Sequence, residues 1–495
     1  MATSIQSSTV AADRFVNAVE SDLRREGRLG ALFAVPFQGG TRLSAILSSF
    51  GAFKIISCNI EPGHGTYPAL SAITPAANWY ERQIFDLHGL MPANYQSLDP
   101  LVIRKGLESD PTYKPDEDLS ERRPDLSEPS VEGEGLFKIP LGPVRSGIFE
   151  SIEYVIETPG EEILHVEPRP FYKHRGIENN FSGRSFGEGA LLAERVEGVS
   201  SVAHAIAYCQ AIEQLSDSEI SPQAQLVRVI HAELERIANH LESMVRHCEA
   251  AAQAVAFARF SFYKEQIMRL RADICGHRFS RGVVSPGGVT IPTTLDLNAV
   301  SKRISKLEAD IDSSVNLLMK TASFLDRLRG TGVITTKQSR LFGTLGPVAR
   351  GSGLLEDTRS SHPYSAYRHL GFVPVRETSD GDALARQNVR IDEIAGSFHL
   401  LKQALDGLGD LKTPGDEWRI KLNIRDGESL GWAEASQGEV LYLVIVDSGR
   451  LKTVRQRSAS FHNMSVFSSA FPKDITTDFA FIEASFGLSV AGVSG

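Results

Sequence analysis

The chain has 495 residues, 42% hydrophobic and 23% charged, enough apolar side chain for two or three packed domains. Its net charge of −9 argues against nucleic acid as a main partner, because neutralising phosphates takes clustered Lys and Arg. No run of about 18 apolar residues occurs, so no transmembrane segment is expected, and the polar, acidic stretch from Met1 to Asp22 does not read as a secretory leader. Cys58, Cys209, Cys248 and Cys275 are scattered. They read as reduced structural thiols of a cytoplasmic protein, not as a disulfide framework or a local thiolate metal site.

In chain order, residues 1–105 read as a small α/β domain. The runs 31–35 and 53–58 are short, apolar and bounded by Gly, as strands are, and 76–88 reads as a helix stopped by Gly89. Residues 106–135 are acidic and Pro-rich, with Pro111, Pro115, Asp116, Glu117 and Asp118, and read as a linker. Residues 136–495 begin with a hairpin, 152–157 and 163–166 around Gly160. One long helix is predicted over 222–271, with Leu226, Ile230, Leu234, Ile237 and Leu241 at three- and four-residue steps. Further helices are predicted over 296–328 and 392–408, and a last hairpin over 438–450 turns at Asp447-Ser448-Gly449. The fold class is therefore α+β: a small N-terminal α/β domain, an acidic linker, and a mainly α-helical domain with peripheral β-hairpins.

Several motifs admit a plain structural reading. Trp79 to Leu90 mixes aromatics and charges on one amphipathic helix, either a docking helix or a core helix with salt bridges. His174, Arg175 and Glu178 surround Gly176 and fit a solvated charged turn. His231, His240 and His247, nine and seven residues apart, do not match the i, i+4 spacing of helical metal pairs and read as surface or packing histidines. The Gly-rich stretch 343–353 lacks the Lys-Ser/Thr end of a phosphate loop.

In combination they are more specific. Trp79-Tyr80-Glu81-Arg82-Gln83-Ile84-Phe85-Asp86-Leu87-His88-Gly89, Pro140-Leu141-Gly142-Pro143, His174-Arg175-Gly176-Ile177-Glu178 and Glu194-Arg195-Val196 come first. Glu233-Leu234-Glu235-Arg236, Pro286-Gly287-Gly288-Val289, Asp357-Thr358-Arg359 and Val389-Arg390-Ile391-Asp392-Glu393 follow. This succession resembles the fused large subunit of formate-hydrogenlyase-type membrane-bound [NiFe]-hydrogenases. It equally resembles the 30-kDa-type and 49-kDa-type subunits of NADH:quinone oxidoreductase (complex I) joined end to end, over most of the chain except the linker.

The resemblance implies that two Cys-x-x-Cys pairs hold Ni and Fe in the hydrogenases. The matching positions here are Glu197 and Ser200, then Ser489 and Gly492. A carboxylate, two hydroxyls and a glycine cannot form a four-thiolate cage, so a Ni-Fe centre, or any cofactor on this chain, is not expected. On the quinone-reductase side, the loop Gly142-Pro143-Val144-Arg145-Ser146 places Arg145 where the family has a pocket histidine, and the family's pocket tyrosine falls on Gly198. Arg145 would then donate to a quinone carbonyl and stabilise a reduced headgroup. The resemblance further implies a pocket of Arg145, His174, Arg175, Glu197, Asp357 and Arg359, with quinone as its candidate ligand. The Fe–S cluster would lie in a partner small subunit of the complex I 20-kDa type, beside antiporter-like membrane subunits, on the cytoplasmic side of the membrane. Two readings follow: an oxidoreductase subunit with its own pocket, or a non-catalytic structural or coupling subunit holding the Fe–S and membrane subunits together. A stand-alone enzyme has no supporting nucleophile or metal motif.

Overall fold

The computed structural model describes residues 3–93, 101–102, 131–146, 150–290, 296–375, 379–410 and 418–495, apart from positions 26, 64, 132, 134, 171 and 173. The linker read at 106–135 falls outside the described residues except for 131, 133 and 135.

The N-terminal domain is built on one sheet of β1 (Ser4–Val10), β2 (Arg28–Phe37), β3 (Gly40–Ser49) and β4 (Ala52–Ile60). Its strand order is β1-β4-β3-β2, with β1 parallel to β4 and the others antiparallel. The apolar run in β2 is buried over 29–35, as expected where a strand is covered on both faces. Helix Asn78–His88 packs beside β2 and ends at Gly89, whose φ of 66° suits a residue without Cβ. Trp79, Tyr80, Glu81 and Ile84 are buried, so the core alternative for this helix is the one realised. On either side of this helix in the chain, Thr66–Pro68 (β5) and Met91–Ala93 (β6) pair in parallel.

The second domain opens with an antiparallel sheet of Phe137–Leu141 (β7), Glu153–Thr158 (β8) and His165–Arg169 (β9), one strand more than the expected hairpin. Its centre is helix Pro222–Ala250, started by the Ser221 cap and by Pro222 in the first turn. The predicted helix 222–271 is in fact two helices, since the chain reverses at Ala252 (φ 53°) and resumes as Ala254–Cys275. The pairs Glu242–Lys264 and Glu235–Arg271 show the two running antiparallel. No turn-forming residue marks this reversal, because Ala251 and Ala252 are good helix formers; antiparallel packing imposes it. Helix 296–328 likewise divides into Leu297–Leu318 and Ala322–Leu328. Helix Ala383–Asp410 lies antiparallel on the other side of the central helix, joined by Glu233–Ser397, His240–Glu393 and His247–Gln387.

The expected last hairpin is part of a three-stranded meander. After the short pair Val284–Ser285 (β10) and Gly288–Val289 (β11), strands β12 (Gly427–Ala435), β13 (Gly438–Asp447) and β14 (Arg450–Arg457) pair antiparallel. The N-terminal domain docks on this sheet. Arg455 and Arg457 donate through Nε to the Ala34 and Gly30 carbonyls at 2.8 Å each, and Arg28 pairs with Glu439 at 3.0 Å. Tyr80 meets His462 at 2.7 Å. One hydrophobic core therefore runs through both domains. All four cysteines are free, and three are fully buried. No helix among the described residues is long and apolar enough to cross a membrane.

Candidate functional site

The stretches 194–204 and 484–495 lie together beside the middle of the central helix, where Glu235 accepts the Val202 and Ala203 amides and Ser243 donates to the Ala484 carbonyl. Arg175 ties them, donating to the Arg195 and Val196 carbonyls of one and the Ala491 carbonyl of the other. His174 holds the Ser494 carbonyl through Nδ1 at 2.6 Å. The Glu150 carboxylate accepts the Val490 and Ala491 amides at 2.5 and 3.1 Å.

The four positions matched by resemblance to hydrogenase metal ligands, Glu197, Ser200, Ser489 and Gly492, are close-packed against protein. A Cβ on Gly492 would lie 2.0 Å from Oε2 of Glu197, so the Glu197 carboxylate fills the room a side chain at 492 would need. Its Oε1 meets His204 Nε2 at 3.2 Å, and His204 Nδ1 meets the Tyr442 hydroxyl at 2.8 Å. The Ser200 hydroxyl donates to Gln437 Oε1 at 2.9 Å. Ser489 caps the last helix, Val490–Ser494, accepting the Gly492 amide at 3.3 Å.

Beside them lies a cavity of about 450 Å³. Tyr154, Val199, Phe279, Met464, Phe467 and Leu488 supply apolar wall, while Arg145, His240, Arg390, Ser436, Gln437 and Ser489 supply polar groups. Small-ligand sites commonly combine apolar walls with a few placed polar groups in this way. A larger cavity of about 790 Å³ next to the N-terminal domain, lined by Val16, Pro75, Trp79 and Phe342 among others, contains no titratable side chain and offers no comparable chemistry.

Behind the cavity is a buried ion network. Glu393 accepts from Arg350 Nε and His240 Nε2, both at 2.8 Å, and meets Arg236 at 3.5 Å. Asp357 pairs with Arg359 at 2.7 Å, and Arg359 reaches Glu233 at 3.2 Å. Burial would raise the Glu393 carboxyl, but the guanidinium of Arg350 and its other donors hold it well below the usual carboxylate range. Burial pushes His240 down to about 4 against the pull of Glu393. Arg390, also reduced by burial to about 10, donates to the Arg386 and Phe486 carbonyls at 3.1 Å each.

Of the residues expected to form the pocket, Arg145 lines the cavity, but not as a free cation. It makes two 2.8 Å bonds to Glu483 and lies over the Tyr154 ring, whose hydroxyl donates to the same carboxylate. The placement of the other five corrects the expectation. Asp357 and Arg359 are sealed in the network, and His174 and Arg175 pin the C-terminal segment. Glu197 lies behind the lining beside Gly492. His231, His240 and His247 are packing residues rather than surface ones, and His240 also reaches the cavity. Sequence reasoning missed Glu150, Ser436, Gln437 and Glu483. For Gln437 the sequence held no signal, since polar residues at a tight turn between strands are ordinarily solvated.

The respiratory-chain NADH dehydrogenase 49-kDa subunit family matches residues 249–423, and its 30-kDa counterpart matches 13–122. Over 354 residues the chain is 32% identical to the membrane-bound hydrogenase subunit alpha of Pyrococcus furiosus, covering 67% of this chain and 81% of that protein. It belongs to this family. Formate hydrogenlyase subunit 5 of Escherichia coli is 27% identical over 431 residues, 82% of this chain and 73% of the relative. An NADH-quinone oxidoreductase subunit of Deinococcus radiodurans is 29% identical over 363 residues, 68% and 90% of the two chains. The solved archaeal membrane-bound sulfane sulfur reductase shares the fold, with a TM-score of 0.68 at 22% identity over 73% of this chain and 99% of that one. The chain is thus a fused 30-kDa- and 49-kDa-type oxidoreductase subunit.

The Ni-Fe group that the resemblance to hydrogenases implies does not fit these residues. The four positions offer no thiolate, and three of their side chains are held by packing or hydrogen bonds within the chain. Among the described residues, no three His, Cys, Asp or Glu side chains are grouped to hold a metal ion.

Proposed function

We propose that this subunit works in its membrane oxidoreductase complex without a Ni-Fe centre, delivering electrons to an organic acceptor of the quinone class bound in the 450 Å³ cavity. The electrons come from an Fe–S cluster in a small partner subunit, and antiporter-like subunits anchor the assembly at the cytoplasmic face of the membrane. The observation that carries this reading is the Glu197 carboxylate seated against Gly492, beside a mixed apolar and polar cavity. Soft-metal chemistry has no ligands there, whereas a planar ring with hydrogen-bonding oxygens matches the walls.

The test is to purify the intact complex, measure Ni and Fe, and assay it with hydrogen, formate and quinone analogues. The expected result is Fe at Fe–S stoichiometry, no Ni, no hydrogen turnover, and turnover with quinone analogues. Stoichiometric Ni would overturn the reading.

The engagement of Arg145 by Glu483 favours one competing reading, a structural or coupling subunit whose old pocket is tied shut. Failure of the complex to bind or reduce any quinone analogue would favour that alternative.

A further inference from the structure

The tip of the β12–β13 hairpin is Ser436-Gln437. It is held rigidly, with Arg236 donating to the Glu434 and Ala435 carbonyls at 2.7 and 3.0 Å. Gln437 is 6% exposed as a residue and lines the cavity. Both the Ser200 and Ser436 hydroxyls donate to its Oε1 at 2.9 Å. With the oxygen held from two sides, the amide nitrogen points away from both hydroxyls, and Nε2 makes no hydrogen bond among the described residues. A donor without a protein partner on a residue this enclosed calls for an explanation. Here the cavity itself supplies one.

We propose that Gln437 is the polar anchor of the cavity, its Nε2 donating to a carbonyl oxygen of the bound ligand, and that Ser200 positions it. The position that holds a metal in the resembling hydrogenases has thus become an orienting group for an amide. The ligand class is a planar molecule with a ring carbonyl, whose apolar body rests on Val199, Met464, Phe467 and Leu488. Asn and Gln amides suit this role, because once one end is fixed the other has a defined polarity. The inference rests on the quinone reading of the cavity.

Binding of decylubiquinone to the purified complex tests it by titration, alongside thermal melting. Gln437→Leu is expected to weaken Kd about tenfold, the equivalent of about 1.4 kcal/mol. Ser200→Ala, which leaves the amide present but held from one side only, is expected to weaken it about threefold, with unchanged melting. A ring analogue without carbonyl oxygens should bind wild type and Gln437→Leu alike, which a merely structural role would not produce. If Gln437→Leu lowers the melting temperature, Ser200→Ala carries the test. Unchanged Kd in both variants, with wild type binding, overturns the assignment of Gln437 alone. Absence of decylubiquinone binding to wild type overturns the quinone reading and this inference with it.

Discussion

The ion network around Glu393 keeps residues of the quoted motifs, whereas the positions around Glu197, matched by resemblance to hydrogenase ligands, depart from the family pattern. In the network each charge serves several partners: Glu393 meets Arg350, Arg236 and His240, and Arg350 also meets Asp357 and Glu434. Removing one member strands others in a low-dielectric interior, so the motif residues there keep their charges together. At the metal positions the ligands answer to a metal rather than to one another. None of the four positions is a cysteine, and the residues present fit as a set, with a long carboxylate at 197 against no side chain at 492. Charge pairing resists piecemeal change, while a ligand cage without its metal is open to mutual repacking.

The sharpest way to break this contrast is at the network. Glu393→Ala should destabilise the subunit by about 3–5 kcal/mol, because Arg350 and Arg236 lose their shared carboxylate while buried. Chemical denaturation of the complex measures it, and a loss below about 1 kcal/mol would show that the network is not mutually dependent. Gly492→Ala comes next, at about 1–3 kcal/mol, since its Cβ has nowhere to go while Glu197 stays in place. In the Glu197→Ala background the same change should cost at least about 1 kcal/mol less. Strictly additive effects would sink the mutual-packing account.

Arg145→Met should cost only about 1 kcal/mol of stability, because its pair with Glu483 is partly solvated. It should nevertheless abolish quinone-linked turnover, if the loop that Arg145 anchors shapes the ligand site. Wild-type turnover in this variant would remove Arg145 from the site.

The smallest effect concerns pH. Burial pushes Glu194 up to about 7, against the pull of the Gly282 amide, Arg195 and Arg281. Its folded-state pKa is raised, so its contribution to stability is full below the usual carboxylate value and is lost as pH rises through about 7. Glu194→Gln, which mimics the protonated form, should melt like wild type near pH ~5 and gain relative stability by pH ~8.5. A melting difference independent of pH would contradict that assignment.

Much of the architecture was legible in the residues themselves. Gly-bounded apolar runs located β2 and β4, Gly89 ended its helix, and Asp447-Ser448-Gly449 marked the β13–β14 turn. The reversal at Ala252 was not legible, because a local pattern of good helix formers has no reason to stop there. Strands β1 and β3 were missed because their many Ser and Thr residues do not make apolar runs. The site was legible only in part. Motif order brought 194–204 and 484–495 into view, but it could not separate residues that line a cavity from residues that hold it together.

By itself, the sequence determined the family, the α+β class and the absence of thiols at 197, 200, 489 and 492, because residue identity and order suffice for each. Only the tertiary structure decided that Arg145 is neutralised by Glu483, that Asp357 and Arg359 are sealed away, and that Gln437 faces the cavity. Each of these depends on a partner far away along the chain, or on which face of an element meets empty space. Such relations are set by packing, and no spacing along the chain encodes them.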